Sequence, residues 1–192
     1  MKDSSSADML NSYITDMLAL ESHIEKAITA QLKDLDDEEP GFASALQQAH
    51  ETVASHITQL ELLAESRDMS PGSAVAEHVK NAVSKVAGLG AAAIDLLRHE
   101  KLPKDVRDDN AAFRLAEVGY GMLFTSAMVL DDDGAVRELA LTHMRDYSRL
   151  ANSFRDLAPA SVLRYLEKAG YPVSEELLAR VLEAQREEST TP

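Results

Sequence analysis

The sequence contains no cysteine and no tryptophan, and it has few glycines and prolines. Without cysteine, the chain has no disulfide, no thiolate nucleophile and no cysteine-based zinc or iron–sulfur site. Only 8 glycines and 6 prolines stand among the 192 residues, and aromatic residues make up 5%. Ala, Leu and Glu are abundant instead, and their side chains lose little freedom in a helix. The composition therefore favours a helical protein.

Basic residues are also in the minority, because 19 of them stand against 33 acidic residues and give a net charge of −14. Such a surface repels phosphate backbones and anionic lipids, so we expect neither nucleic acid nor a membrane as a partner. The first residues, MKDSSSADML, do not resemble a signal peptide, and no uncharged apolar run reaches roughly 18 residues. We expect a cytoplasmic protein with one domain and a substantial core.

Apolar residues recur at helical spacing along nearly the whole chain, and no segment shows a convincing alternation of the kind a strand has. This pattern predicts an all-α fold. A DDDG turn at 131–134 separates two of the predicted helices, and Ser174 is predicted to cap the last one. The predicted helices cover about 7–35, 41–66, 72–99, 109–131, 135–157, 160–169 and 174–187.

The lengths of the connections predict how these helices are arranged. Short loops join the first two helices, and also the fourth and fifth, so each pair should form an antiparallel hairpin. About 40 residues with a whole helix of their own separate the hairpins, which is enough to span a bundle and pack along it. Two hairpins joined by one long crossover make a ferritin-like bundle. We predict this bundle over 1–158, with a C-terminal helical pair at 159–192 packed on the same domain.

Each helix of the predicted bundle carries an ionisable residue on its apolar stripe. These residues are Glu21, His56, Glu117 and His143, and Asp146 follows one turn after His143. A buried charge without a partner is costly, so such groups need one another, water or a metal. Carboxylates and imidazoles suit either a hydrogen-bonded polar cluster or a set of metal ligands. Both interpretations remain open at this point.

Three segments, DMLALESHIEKAI, HETVASHITQLE and EVGYGMLFTSAMVL, resemble the YciE/YciF-type stress-associated ferritin-like proteins, and the likeness covers about residues 7–157. In ferritin-like di-iron proteins, two helices each supply a glutamate and the other two each supply Glu-x-x-His. The resemblance therefore implies Glu21 and Glu117 as the single glutamates. It implies His56 and His143 as the histidines of the two motifs.

The sequence departs from the family pattern at the two motif glutamates, because Val53 and Ala140 occupy their positions. In the family, these carboxylates bridge two metal ions. Without them we expect one iron or manganese ion, or no metal at all. Asp146 could then serve as an additional ligand.

Three further residues are predicted to contact the ligands without binding the metal themselves: His50, Tyr120 and Tyr147. The resemblance implies a stress-associated function, with a metal site that is mononuclear or empty. The alternative is a non-catalytic interaction or assembly protein, in which a vestigial polar core sets the helix register. We also expect a homo-oligomer, specifically a dimer.

Overall fold

The computed structural model of the chain describes residues 3–34, 40–69, 101–130 and 134–189. In these ranges 93% of the residues are helical and no strand occurs, which confirms the all-α prediction. The predicted crossover helix at 72–99, and its packing along the bundle, lie outside the described residues. None of the described helices is long and apolar enough to cross a membrane. The helices are α1 (Asp3–Asp34), α2 (Pro40–Ser66), α3 (Lys101–Leu130), α4 (Ala135–Lys168) and α5 (Glu175–Ser189).

Helices α1 to α4 form a four-helix bundle around one apolar core. α1 packs against α2 and α3, α4 packs against the same two helices, and α5 contacts α4. The core consists of residues that recur every three or four positions, so each helix presents one face to the other three. Phe154 of α4 makes edge-on contacts with Phe42 of α2 and Phe113 of α3. These contacts join three helices of the bundle.

Helix α3 begins at Lys101, whereas the sequence prediction began it near 109. The polar segment KLPKDVRDD, which contains Pro103, forms the first turns of this helix. In the structure Pro103 lies in the first turn, where its missing N–H removes no hydrogen bond within the helix. The longer helix places Val106 and Asp109 on the same buried stripe as Phe113.

Helix α4 continues through Pro159 to Lys168, so the helices predicted at 135–157 and 160–169 are a single helix. The predicted C-terminal pair therefore consists of the last turns of α4 together with α5. Inside a helix, proline removes one hydrogen bond and its ring crowds the carbonyl four residues before it, but packing of the helix can offset this cost. Pro159 and Ser161 are both buried, and the Ser161 hydroxyl donates to the Ala158 carbonyl at 2.7 Å.

Glycines lie just before and just after α4, where the backbone adopts left-handed angles. Gly134 has φ +79° and precedes the first turn, and Gly170 has φ +87° and follows the last. A side chain would strain either position, because left-handed angles bring Cβ close to the backbone. Before α5, the hydroxyl of Ser174 accepts a hydrogen bond from the N–H of Leu177 at 3.3 Å, which confirms the predicted cap.

Candidate metal centre

Three ionisable side chains meet at the centre of the bundle, each from a different helix. Glu21 of α1, His56 of α2 and His143 of α4 are at most 1% exposed. One ligand atom from each lies within 4.8 Å of the other two. Metal–ligand bonds of about 2.1 Å separate ligand atoms by about 3 to 4.2 Å, so the three side chains would need to reorient, but not to move far, to share an ion. This buried group can hold a metal ion.

The carboxylate of Glu21 has partners at both oxygens. The Tyr120 hydroxyl donates to Oε1 at 2.5 Å, and the Tyr147 hydroxyl donates to Oε2. His56 Nδ1 lies 3.2 Å from Oε1. Burial, and then the negative charge of Glu21, raise the pKa of both tyrosines well above the ordinary value. Both phenols therefore remain protonated and hold the carboxylate in one orientation.

His56 lies between two carboxylates. Its Nδ1 faces Glu21, and its Nε2 lies 3.2 Å from Oδ2 of Asp146, a residue that also pairs with Arg149. A neutral imidazole carries one N–H, so it can donate to only one of the two carboxylates. Metal-bound histidines usually donate the remote N–H to a carboxylate or carbonyl. Asp146 is placed to receive that hydrogen bond when Nδ1 binds a metal, whereas in the metal-free protein an N–H at Nδ1 can donate to Glu21 instead.

His143 stacks on His56, with 3.7 Å between the ring centroids. Its Nε2 lies 3.4 Å from Oε1 of Gln59, while its Nδ1 is buried and has no hydrogen-bond partner among the described residues. Burial, and then a positive charge on His56 whenever that ring is protonated, lower the pKa of His143 to about 3. The ring is therefore neutral near pH 7, and donation from Nε2 to Gln59 leaves Nδ1 unprotonated. His143 thus has a nitrogen with a free lone pair, and it supplies one of the three potential ligand atoms that lie close together.

Two residues predicted for the site lie away from this group. Glu117 is partly exposed and forms an ion pair with Arg114 at 2.7 Å. The buried stripe of α3 passes through Tyr120, which occupies the place in the cluster predicted for Glu117. His50 is also partly exposed, and its Nε2 lies 3.6 Å from the Glu25 carboxylate. His50 therefore contacts a surface carboxylate and none of the three central residues.

The positions of the two family glutamates are apolar and fully buried in this chain. Val53 and Ala140 have no exposed surface. Across the described ranges, Glu21, His56 and His143 are the one group of three potential ligands close enough to share an ion. The arrangement therefore provides ligands for one ion and no bridge to a second.

A family described as "Domain of unknown function (DUF892)" matches residues 5–167, well over half of the chain. The chain belongs to the DUF892 family. DUF892 is part of the ferritin-like superfamily, so the predicted resemblance to ferritin-like proteins is confirmed at the level of the superfamily. The DUF892 match begins in the first turn of α1 and ends in the last turn of α4, so it spans the bundle and all the central residues. A comparison with curated proteins gives no match.

Proposed function

We propose that this DUF892 protein binds one divalent iron or manganese ion through Glu21, His56 and His143. The observation that carries the proposal is the buried, unpartnered Nδ1 of His143 beside the other two side chains. Buried polar atoms nearly always have a partner, and a metal would supply this one. Two histidines and one carboxylate form the donor set of many mononuclear iron(II) sites.

The residues around the proposed site would hold its ligands in place. Tyr120 and Tyr147 fix the two oxygens of Glu21, and Asp146 and Gln59 receive the outer N–H groups of the histidines. Three protein ligands leave coordination positions open for water or a small molecule. A bound ion would supply redox or Lewis-acid chemistry there. We place this chemistry in a stress-associated role of the YciE/YciF type.

A second candidate function is supported by the bonding of Glu21. Its carboxylate already has Tyr120, Tyr147 and His56 as partners without any metal. The cluster could then act as a polar layer that fixes the register of the four helices in an interaction or assembly protein. In this alternative, the unpaired Nδ1 of His143 is a tolerated cost.

Anaerobic titration of the metal-free protein with iron(II), in competition with a coloured chelator, separates the two functions. We expect His143→Ala to weaken binding by more than the roughly 10- to 100-fold loss typical of an outer-shell residue. His50→Ala is the matched control, because it removes a histidine that contacts Glu25 at the surface. Unchanged affinity in His143→Ala would reject the ligand assignment. Failure of the wild-type protein to bind any ion would favour the polar layer.

A further inference from the structure

A second buried polar pair joins α1 to α3, about 15 Å along α1 from Glu21. The side-chain amide of Gln31 donates from Nε2 to Oδ1 of Asp109 at 3.0 Å. Asp109 is only 4% exposed. The remaining oxygens of the pair, Gln31 Oε1 and Asp109 Oδ2, are buried and have no hydrogen-bond partner among the described residues. Each group thus has one satisfied atom and one acceptor without a donor.

One proton would satisfy both unpaired oxygens. An amide and a carboxyl group are planar and similar in size, so bonding along one edge brings their other two atoms towards each other. A protonated Oδ2 can donate to Oε1 and complete a ring of two hydrogen bonds. We propose that Asp109 is protonated in the folded bundle and that Asp109 and Gln31 form a proton-operated latch between α1 and α3.

The surroundings of Asp109 favour the neutral acid. The pKa of Asp109 is raised to about 7, and burial is the largest cause, acting against the lowering effect of the hydrogen bond from Gln31. The carboxylates of Asp105 and Asp108, on the same helix, contribute to this increase. A negative charge at Asp109 would therefore face acidic neighbours as well as an apolar core.

Several basic groups at this end of the bundle are already paired with acidic partners. Lys101, at the start of α3, pairs with Asp34 of α1 at 3.1 Å. On α4, Arg155 pairs with Asp156, also at 3.1 Å, and both side chains are more than half exposed. The group that faces Asp109 from α1 is the uncharged amide of Gln31. A proton on Oδ2 is consequently the simplest partner for the two unpaired oxygens.

Protonation of Asp109 makes folding depend on pH in a defined direction. The folded-state pKa of about 7 lies above the ordinary value of 3.8, so the folded state binds the proton more tightly than the unfolded state does. The resulting stabilisation is complete below pH 3.8, declines as pH rises and is lost above about 7. Between pH 5 and 7 it changes the folding equilibrium constant by about 50-fold. Ionisation would leave two acceptor oxygens, Asp109 Oδ2 and Gln31 Oε1, without a proton between them. This would weaken the contact between α1 and α3.

Substitution of Asp109 by asparagine tests the latch by making the donor permanent. In Asp109→Asn, the new amide N–H can donate to Gln31 Oε1 at every pH. We expect this variant to unfold at a higher urea concentration than the wild type at pH 8. Between pH 5 and 7, its folding equilibrium constant should lack the change of about 50-fold that Asp109 contributes in the wild type. Asp16→Asn is the control, because it removes an exposed carboxylate of α1 that is not among the groups acting on the pKa of Asp109. It should retain the pH dependence.

Carbon-13 NMR of the aspartate carboxyl groups in the wild-type protein provides a test that needs no folded variant. The Asp109 signal, assigned by its absence from Asp109→Asn or by backbone correlation, should titrate with a midpoint near pH 7. An ionised Asp109 at pH 5 would overturn the proposal. So would an Asp109→Asn protein that is less stable than the wild type at pH 8.

Discussion

His143 stacks on His56 with 3.7 Å between the ring centroids and 13° between the ring planes. The lone pair of an imidazole nitrogen lies in the plane of its ring, so two parallel rings cannot direct their lone pairs at one point between them. One ring must therefore turn before both can bind the same ion. His56 has a carboxylate 3.2 Å from each nitrogen, whereas the contact from His143 to Gln59 is 3.4 Å long. We infer that His143 is the ring that turns.

Zinc titration followed by proton NMR checks this movement, because zinc(II) is diamagnetic. Stacked rings shield each other, so we expect the ring signals of His143 to shift when one equivalent of zinc unstacks them. The signals of His50, which contacts Glu25 at the surface, should stay in place. Zinc-dependent shifts at His50 with none at His143 would locate the binding elsewhere.

Removal of the Tyr147 hydroxyl should destabilise the metal-free protein more than removal of the Tyr120 hydroxyl. Tyr147 donates to Oε2 of Glu21, whereas the Oε1 atom that accepts from Tyr120 also contacts His56. A hydrogen bond to a buried charged group contributes roughly 1.5–3 kcal/mol. We expect a loss of about that size in Tyr147→Phe and a smaller loss in Tyr120→Phe, measured by urea unfolding.

The control for these two variants is Tyr171→Phe, because Tyr171 is 62% exposed. Its stability should match that of the wild-type protein within about 0.5 kcal/mol, as is usual for surface substitutions. Equal stability of Tyr147→Phe and Tyr171→Phe would show that the Glu21 carboxylate does not depend on the Tyr147 hydroxyl.

Restoration of the two family glutamates should create a site for a second ion. Val53 and Ala140 are fully buried, so Val53→Glu combined with Ala140→Glu places two carboxylates in the core. Buried charges without partners typically cost about 3–5 kcal/mol, and we expect a loss of this order in the metal-free double variant. Added iron(II) or manganese(II) should recover much of it and bind at two ions per chain. Val53→Gln with Ala140→Gln, which adds side chains of similar size without charge, should gain no second ion.

The sequence was sufficient to find the central residues on three of the four helices. Glu21, His56 and His143 each interrupt an apolar stripe, and the structure buries all three. Glu117 is predicted as a ligand by the same argument, because it lies between Phe113 and Phe124 on the apolar stripe of its helix. The buried stripe of α3 runs through Ala116, Tyr120 and Leu123, so Tyr120 is buried as predicted and Glu117 lies at the edge of the stripe. The sequence alone does not determine whether a side chain beside an apolar stripe faces the core or the solvent, because the packing of the helix decides this.

Other features depended on tertiary contacts that the sequence does not specify. Gln59 stands one turn after His56, but nothing distinguishes it from Gln47 or Gln48 on the same helix until His143 approaches it. Asp109 was missed because the prediction began α3 near that residue, whereas the helical register from Lys101 places Asp109 on the buried stripe. The homodimer and the cytoplasmic location stay predictions.

The Glu117→Gln variant distinguishes two ligand sets. The set predicted from the sequence includes Glu117, whereas the group that the structure brings together does not. Because Glu117 pairs with Arg114 at the edge of the bundle, its neutralisation should leave iron(II) affinity within about twofold of wild type. Glu21→Gln, the same substitution at the centre, should abolish tight binding, because an amide is a far poorer ligand than a carboxylate. Chelator competition measures both, and equal losses in the two variants would return Glu117 to the ligand set.

Elemental analysis of the wild-type protein tests the central claim most directly. The metal-free protein is loaded anaerobically with excess iron(II) or, separately, manganese(II), and weakly held metal is removed on a desalting column. Binding through Glu21, His56 and His143 predicts one ion per chain, and none in His143→Ala loaded in parallel. Two ions per wild-type chain, or one ion retained in His143→Ala, would contradict the assignment of ligands. No ion in the wild-type protein with either metal would contradict the metal site itself and leave Glu21 and its partners as a polar core.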